Sequence, residues 1–284
     1  MKNIIELIVQ EDTTLLKYLL NNINNKSKNN IKTFLTKGNV LVNNRVITKH
    51  DYPLKKSDHI IVRMSNINNK IKNVNIIYED NDFIVVNKPS GLLSVATNKE
   101  KKNTLYHLVR EHIKQNNKKD KIFIVHRLDK DTSGIVLFAK SEKIKSILQD
   151  NWNKLVERKY LAVVEGRIEK ESDTITSYLK ETKELFVYSA KDGKFASTSY
   201  KRLKQNKKYS LLEIKINTGR KNQIRVHLSD INHPIVGDTK YKAKTNPLKR
   251  LCLHAYSIKF VNPVNKKQYY FKTEDPKDIL NLIN

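Results

Sequence analysis

Short apolar runs separated by polar turns recur along most of this chain and predict many strands. The runs are rich in β-branched and aromatic side chains, which is typical of buried strands. One pair forms a predicted hairpin over 76–89, and further runs lie at 122–125, 135–138, 160–164, 197–203 and 211–216. Because turns rather than helices join most of them, we expect an α+β domain around a mixed, largely antiparallel sheet with flanking helices.

The first 63 residues have a different pattern, which predicts a small separate domain. Helical spacing of apolar residues predicts one helix over 13–20 and a second over 30–36, with Gly38 placed to end the second. Three short strands are expected at 40–42, 45–47 and 57–62. Residues 64–74 are polar and predict a linker, so the second domain is expected to span 75–284.

A helix is also predicted directly after the run at 135–138. Ser141 is placed to cap it, and Trp152 is expected to pack into the core. Its apolar stripe consists of Ile144, Ile147, Leu148 and Leu155.

The charge balance favours a polyanionic partner. The chain has 55 Lys and Arg against 29 Asp and Glu, a formal net charge of +26. A chain rich in Lys, Asn and Ile also reflects codon bias in an AT-rich genome, so charge alone does not identify the partner. Cys252 is the one cysteine and lies between two leucines, which favours a buried thiol in a reducing cytoplasm.

Several functional classes lack their sequence signals. The chain has no apolar run of eighteen residues, no Cys/His cluster with zinc spacing and no glycine-rich phosphate loop. We therefore expect a cytoplasmic protein with no membrane span, no metal and no nucleotide cofactor, and we expect a monomer.

The segment from His126 to Gly134 is the most specific chemical signal in the chain. It places an arginine, a carboxylate and a small-residue turn between two apolar runs, and a loop held by two strands displays a side chain rigidly. The sequence His-Arg-Leu-Asp, two residues, then Thr-Ser-Gly resembles the signature of the RluA-type pseudouridine synthases. In that family the Asp of this run is catalytic, and the matching residue here is Asp129.

Further motifs extend the resemblance over about residues 75–275. Asn-Lys-Pro-Ser-Gly-Leu at 87–92 resembles the start of the family's catalytic domain, and Tyr160 matches the tyrosine that packs against the target base. Residues 218–228 resemble the family's Thr-Gly-Arg-x-His-Gln-Ile-Arg-x-His-Leu, which makes Arg225 the expected partner of Asp129. Asn222 departs from the family, which has His at that position.

The first domain resembles the RNA-binding module named from ribosomal protein S-four. The resemblance rests on Lys-Gly-x-Val-x-Val-Asn at 37–43 and Asp-x-Ile-x-Val at 58–62. We expect phosphate contacts from Lys32 and Lys37 in this domain, and RNA contacts from Arg127, His126 and Arg220 in the second.

The resemblance implies an enzyme that isomerises uridine to pseudouridine in structured RNA, with ribosomal RNA of the large subunit favoured. The reaction needs neither a redox cofactor nor a metal, because it involves no redox change and no phosphoryl transfer. Transfer RNA as substrate and a non-catalytic RNA-binding or ribosome-assembly factor remain alternatives. A carboxylate-dependent glycosidase or phosphodiesterase would need a paired carboxylate or a metal site, and Asp131 is a weak candidate for such a partner.

Overall fold

The chain forms two compact units, residues 1–69 and residues 70–284. The structure, a computed structural model, describes residues 4–23, 27–36, 38–43, 45–63, 70–71, 74–98, 100–116 and 119–284. Within the predicted linker 64–74, Lys70–Ile71 and Val74 belong to strands. None of the described helices is long and apolar enough to cross a membrane.

The first unit packs two helices and a small antiparallel sheet around one apolar core. Its elements, within the described residues, are β1 (Ile4–Ile8), β2 (Thr13–Thr14), α1 (Leu15–Asn22), α2 (Lys28–Thr36), β3 (Val40–Val42), β4 (Arg45–Val46), β5 (Pro53–Leu54) and β6 (His59–Arg63). The sheet order is β1-β6-β3-β4, and β2 pairs with β5. Leu19 and Leu35 from the helices pack with Ile60 and Val62 from β6. Strand β1 is an element that the sequence reasoning missed.

The helix–strand junction of this unit forms as the sequence predicts. Gly38 has φ +69°, a conformation that glycine adopts without steric cost. The Gly38 and Asn39 N–H groups donate to the carbonyls of Leu35 and Phe34, which ends α2. Lys37, an expected phosphate contact, lies outside the described residues.

The second unit is an α+β domain built on a twelve-stranded, largely antiparallel sheet. Its strands are β7 (Lys70–Ile71), β8 (Val74–Glu79), β9 (Phe83–Lys88), β10 (Phe123–Ile124), β11 (Ser133–Ala139), β12 (Val156–Glu165), β13 (Ser172–Glu181), β14 (Val187–Ala190), β15 (Lys194–Gln205), β16 (Tyr209–Ile216), β17 (Leu253–Val261) and β18 (Gln268–Lys272). The order is β14-β13-β15-β16-β12-β17-β11-β9-β8-β7, with β10 on β11 and β18 on β17. The pairing of β11 with β17 is parallel. The predicted fold class is therefore confirmed.

Helices cover parts of this sheet. They are α3 (Leu105–Asn116), α4 (Glu142–Asp150), α5 (Trp152–Leu155), α6 (Gln223–Asp230) and α7 (Lys277–Leu280). The Ser141 side chain accepts the Ile144 N–H and caps α4, as predicted. The helix stops at Asn151, so the expected stripe is divided between α4 and α5. Trp152 is partly buried against the core.

Strand β11 is buried along its whole length. Its side chains alternate between two apolar clusters: Val136 and Phe138 pack in one, and Ile135 and Leu137 in the other. A central strand covered on both faces reads as a continuous apolar run, which is why the sequence pattern finds it.

The prediction of a four-residue strand at 122–125 is wrong, because only Phe123–Ile124 pairs with β11. The next ladder position on β11 is Leu137, and its N–H donates to Nε2 of His126 instead of a backbone carbonyl. The chain therefore leaves the sheet at Val125 and forms an open loop up to β11. This loop carries Asp129.

The junction of β11 with β17 depends on one glycine. Gly134 has φ +116° and is paired with Ala255 of β17. A Cβ at position 134 would lie 2.2 Å from the carbonyl oxygen of Ala255, so only glycine lets the two backbones approach. Gly91, in contrast, has φ +83° and open space where a Cβ would point.

Replacing Gly134 with alanine is therefore expected to destabilise the second unit much more than the same change at Gly91. Gly134→Ala combines a clash with backbone strain, at a cost of about 3 kcal/mol or more, whereas Gly91→Ala has only the strain, about 1–2 kcal/mol. Calorimetric melting temperatures of both variants and the wild type measure the difference. Equal losses would contradict the steric argument.

Candidate active site

A cleft of about 700 Å³ in the second unit holds Asp129. Six basic and three acidic side chains line it, so its net charge favours an anionic ligand. The basic residues are Lys130, Lys221, Arg225, Lys240, Lys249 and Arg250, and the acidic ones are Asp129, Asp131 and Asp238. The cleft thus joins the loop before β11 to the start of α6 and to the segment 237–251.

A buried lysine holds the Asp129 loop in place. Lys88, at the end of β9, is fully buried and donates from Nζ to the carbonyl oxygens of Lys130, Leu92 and Pro89 at 2.8, 2.8 and 3.1 Å. Burial lowers its pKa to about 8, and the charges of Asp131 and Asp129 oppose that shift. The lysine in the Asn-Lys-Pro motif therefore joins two loops beside the carboxylate.

Two serines fix the same loop through its backbone. The Ser94 hydroxyl donates to the carbonyl of Leu128 at 2.6 Å and accepts the Leu128 N–H at 3.1 Å. The Ser90 hydroxyl donates to the carbonyl of Asp131 at 2.7 Å. The backbone on both sides of Asp129 is consequently anchored.

A polar network anchors the exit of the loop at Ser133. Its hydroxyl accepts from Nη2 of Arg250 at 2.6 Å and lies 2.8 Å from Nδ1 of His254. The other nitrogen of His254 lies 2.8 Å from the Thr273 hydroxyl, and burial lowers the pKa of His254 to about 4. Both ring nitrogens of His254 are therefore used in hydrogen bonds within the protein.

Arg225 belongs to α6 and lines one end of the cleft. Its main partner is Asp238. Its Nε and Nη2 donate to the two carboxylate oxygens of Asp238, both at 2.7 Å. Nη1 of Arg225 is 3.8 Å from Oδ2 of Asp129, an ion pair without a close hydrogen bond. The side chain of Asp238 is 1% exposed, so this two-pronged pair is shielded from water.

The charge of Arg225 does not reverse the effect of burial on the pKa of Asp129. Burial raises the pKa of Asp129, and the charges of Arg225, Arg127 and Lys88 lower it by less. The reason is geometric. Arg225 makes its close hydrogen bonds to Asp238, whereas its Nη1 lies 3.8 Å from Oδ2 of Asp129. Asp129 is therefore a carboxylate of raised basicity in a cationic cleft.

Tyr160 is buried in β12, close enough to Asp129 for the carboxylate charge to affect it. Burial raises the pKa of Tyr160, Asp129 raises it further, and Arg158 opposes both. In the sheet, Tyr160 pairs with Ala255, the residue that also pairs with Gly134. The ring is 5% exposed, and Tyr160 does not line the cleft.

The structure separates the other predicted site residues. Arg127 is exposed beside Asp129, and Arg220 is exposed with its Nε donating to the carbonyl of Phe195. Lys32 is partly buried on α2 of the first unit. None of these residues lines the cleft.

His126, an expected RNA contact, has both ring nitrogens inside the protein. Its Nε2 accepts the Leu137 N–H at 3.0 Å, its Nδ1 is buried without a partner, and its ring lies 5.0 Å from Trp152. Burial lowers its pKa to about 3, so the ring is neutral at physiological pH. Both nitrogens face protein rather than solvent, and the residue shapes the loop.

Asp238 is a functional candidate that the sequence analysis did not identify. Asn222 also gains an explanation. It precedes α6 with φ +53°, a conformation that Asn tolerates, accepts from Nη1 of Arg225 and donates to the Tyr241 hydroxyl. The asparagine thus supports Arg225 from the position where the family has His.

Comparisons with known proteins show the family of this chain. The family described as RNA pseudouridylate synthase matches residues 82–230. The uncharacterized RNA pseudouridine synthase YhcT of Bacillus subtilis is 30% identical over 90% of this chain and 88% of its own. Ribosomal large subunit pseudouridine synthase D of Borreliella burgdorferi is 34% identical over 79% of this chain and 74% of its own.

A solved structure supports the fold. Human RNA pseudouridylate synthase domain containing 1 has a TM-score of 0.60 at 24% identity, covering 74% of this chain and 87% of that one. A cationic cleft around a partly buried carboxylate, on this sheet, fits an enzyme that acts on RNA. The chain belongs to the RNA pseudouridylate synthase family, whose members are isomerases that convert uridine to pseudouridine in RNA.

Substitutions at Asp129 and at Arg225 are expected to change stability in opposite directions. Because burial raises the pKa of Asp129, its ionised form disfavours folding, and Asp129→Asn is expected to stabilise the protein at neutral pH. The gain is present above the folded pKa and disappears as pH falls below the ordinary Asp value. Arg225→Lys breaks the two-pronged contact with buried Asp238 and is expected to cost about 3 kcal/mol.

Melting curves of both variants between pH 3 and pH 8 measure these effects. A destabilised Asp129→Asn protein at neutral pH, or an Arg225→Lys protein as stable as the wild type, would contradict this electrostatic account.

Proposed function

We propose that this protein converts specific uridines of large-subunit ribosomal RNA to pseudouridine, with Asp129 acting on the ribose of the target nucleotide. The observation that carries the proposal is the position of Asp129, whose pKa is raised by burial, in a cleft lined by six basic side chains. The ribosomal target is supported by relatives named ribosomal large subunit pseudouridine synthase D.

The reaction breaks the glycosidic C–N bond, turns the uracil and forms a C–C bond. Asp129 acts either as a nucleophile at carbon-1′ or as a base that removes the proton at carbon-2′. Both routes need the ionised carboxylate, and raised basicity favours both. Arg225, 3.8 Å away, stabilises the ionised form, and its pairing with Asp238 fixes its position.

We propose that Tyr160 acts at the base rather than the sugar. Its burial and its proximity to Asp129 support a role in packing against the uracil once the nucleotide enters the site. The hydroxyl is then positioned to assist transfer of the carbon-5 proton. Its raised pKa keeps it protonated at neutral pH.

Arg127 is proposed to occupy the gap that the target base leaves in the RNA. Extruding a stacked base costs a few kcal/mol, and an exposed planar cation next to the catalytic carboxylate can replace part of the lost stacking. Arg127→Ala is expected to lower turnover on structured RNA roughly tenfold while leaving the fold intact. Full turnover by this variant, measured as tritium release, would contradict the proposed role of Arg127.

The first unit is proposed to bind RNA as an S-four-like module, with Lys32 and Lys37 as phosphate contacts. Its two helices, its antiparallel sheet and the left-handed Gly38 support this assignment. Arg220 is proposed as a further RNA contact because it is exposed next to the cleft residue Lys221. The cytoplasmic location and the monomeric state remain predictions from the sequence.

Tritium release from RNA labelled at carbon-5 of uridine tests the proposed function. Large-subunit ribosomal RNA and transfer RNA from cells lacking this protein serve as separate substrates. The wild type is expected to release tritium from the ribosomal RNA, and Asp129→Asn, which keeps size and shape but cannot act as a carboxylate, is expected to release none.

Release from transfer RNA alone would move the proposal to that substrate. No release from either RNA, with salt-sensitive RNA binding intact, would favour the RNA-binding-factor alternative.

A further inference from the structure

We infer that the turn between β13 and β14 contacts the nucleobase next to the target uridine, with Leu185 and Phe186 as the contacting side chains. This inference rests on the proposed function, because it places a second RNA contact on the cleft that holds Asp129. We name the tip of this turn, Leu185 and Phe186, the apolar tip.

The apolar tip is an exposed hydrophobic element on a charged cleft. Leu185 is 60% exposed and lines the same cleft as Asp129, and Phe186 is 37% exposed. Leu251 is the other large apolar residue on the cleft wall, and it is buried. The tip therefore presents apolar surface to whatever enters the site.

Neither local conformation nor packing explains a leucine at position 185. Its φ is +65°, where glycine or asparagine fits and a leucine is strained. With its side chain mostly in solvent, Leu185 gains little from the core in return. Strain at a residue of this kind is typical of ligand-contact positions.

The tip is held firmly enough to act as a fixed surface. The Thr182 N–H donates to the carbonyl of Phe186 at 2.8 Å, and the Leu185 N–H donates to the carbonyl of Thr182 at 3.0 Å. The Phe186 ring stacks on Tyr241 at 5.2 Å, and the Arg225 guanidinium lies 4.9 Å from the centre of the Tyr241 ring. A continuous stack thus runs from the tip to the arginine beside Asp129.

The charges around the tip favour RNA as the occupant. Lys240 donates from Nζ to the carbonyl of Leu185 and lies 5.7 Å from the centre of the Phe186 ring, so a cation stands beside the apolar surface. A single-stranded nucleotide offers the matching pair, a flat base and a phosphate. A lipid or an apolar peptide would leave the net positive charge of the cleft uncompensated.

Truncating the tip is expected to impair RNA handling without unfolding the protein. Leu185→Gly removes the side chain and suits the positive φ, so its melting temperature should stay near that of the wild type. Phe186→Ala is the second variant, and Leu203→Ala is the control, because Leu203 is 49% exposed on β15 and does not line the cleft. We expect kcat/KM for tritium release from large-subunit ribosomal RNA to fall about tenfold for both tip variants and to be unchanged for Leu203→Ala.

Ultraviolet cross-linking to the same RNA, read by mass spectrometry, gives a measurement that does not depend on turnover. The Asp129→Asn protein is expected to cross-link through the peptide that contains Leu185 and Phe186, and Phe186→Ala in that background is expected to lose this cross-link. An active wild type with tip variants of equal kcat/KM and no such cross-link would overturn this inference alone. A wild type that releases no tritium would overturn the proposed function instead.

Discussion

The buried pair between Arg225 and Asp238 is the interaction on which the site depends. Two hydrogen bonds of 2.7 Å lock the guanidinium plane, and the remaining nitrogen is left to face Asp129. Asn222 and Tyr241 then support the same arginine from its other sides. A longer or looser pair would let Arg225 collapse onto Asp129 and neutralise it, so the second carboxylate controls how much positive charge the first one receives.

The consequence is a carboxylate of raised pKa that is surrounded by cations. Asp129 is surrounded by cations but hydrogen-bonded closely by none of those described, so burial prevails and its pKa stays raised. The surrounding backbone is fixed by groups that avoid the carboxylate itself: Lys88 binds carbonyls, and Ser94 and Ser90 bind the loop backbone. Positioning and charge are therefore supplied by different residues.

Part of this arrangement could be predicted from the sequence and part could not. The runs at 135–138 and 160–164 lie in buried strands, and buried strands leave a strong local pattern. The motif also indicated Asp129, because an acid between a strand and a Thr-Ser-Gly turn is a local feature. The sequence pattern did not predict strands β13 and β14, because many of their side chains are polar and exposed.

Features that depend on distant contacts could not be found in this way. Asp238 pairs with Arg225 of α6, and the His126 ring lies against Trp152, and neither contact is visible from neighbouring residues. Motif matching therefore indicated Asp129 and missed Asp238, which holds Arg225 beside it. The sequence signals chemistry that is local, whereas the electrostatic setting of that chemistry comes from the tertiary fold.

The packing of Gly134 affects which positions of this motif a genetic screen would identify. Selecting for loss of function would recover changes at Gly134 as readily as at Asp129, because any side chain at 134 drives β11 away from β17. Only Asp129 is proposed to participate in the reaction. The glycine of the Thr-Ser-Gly segment would then be intolerant to change because β11 and β17 approach closely there. That intolerance would carry no information about the substrate.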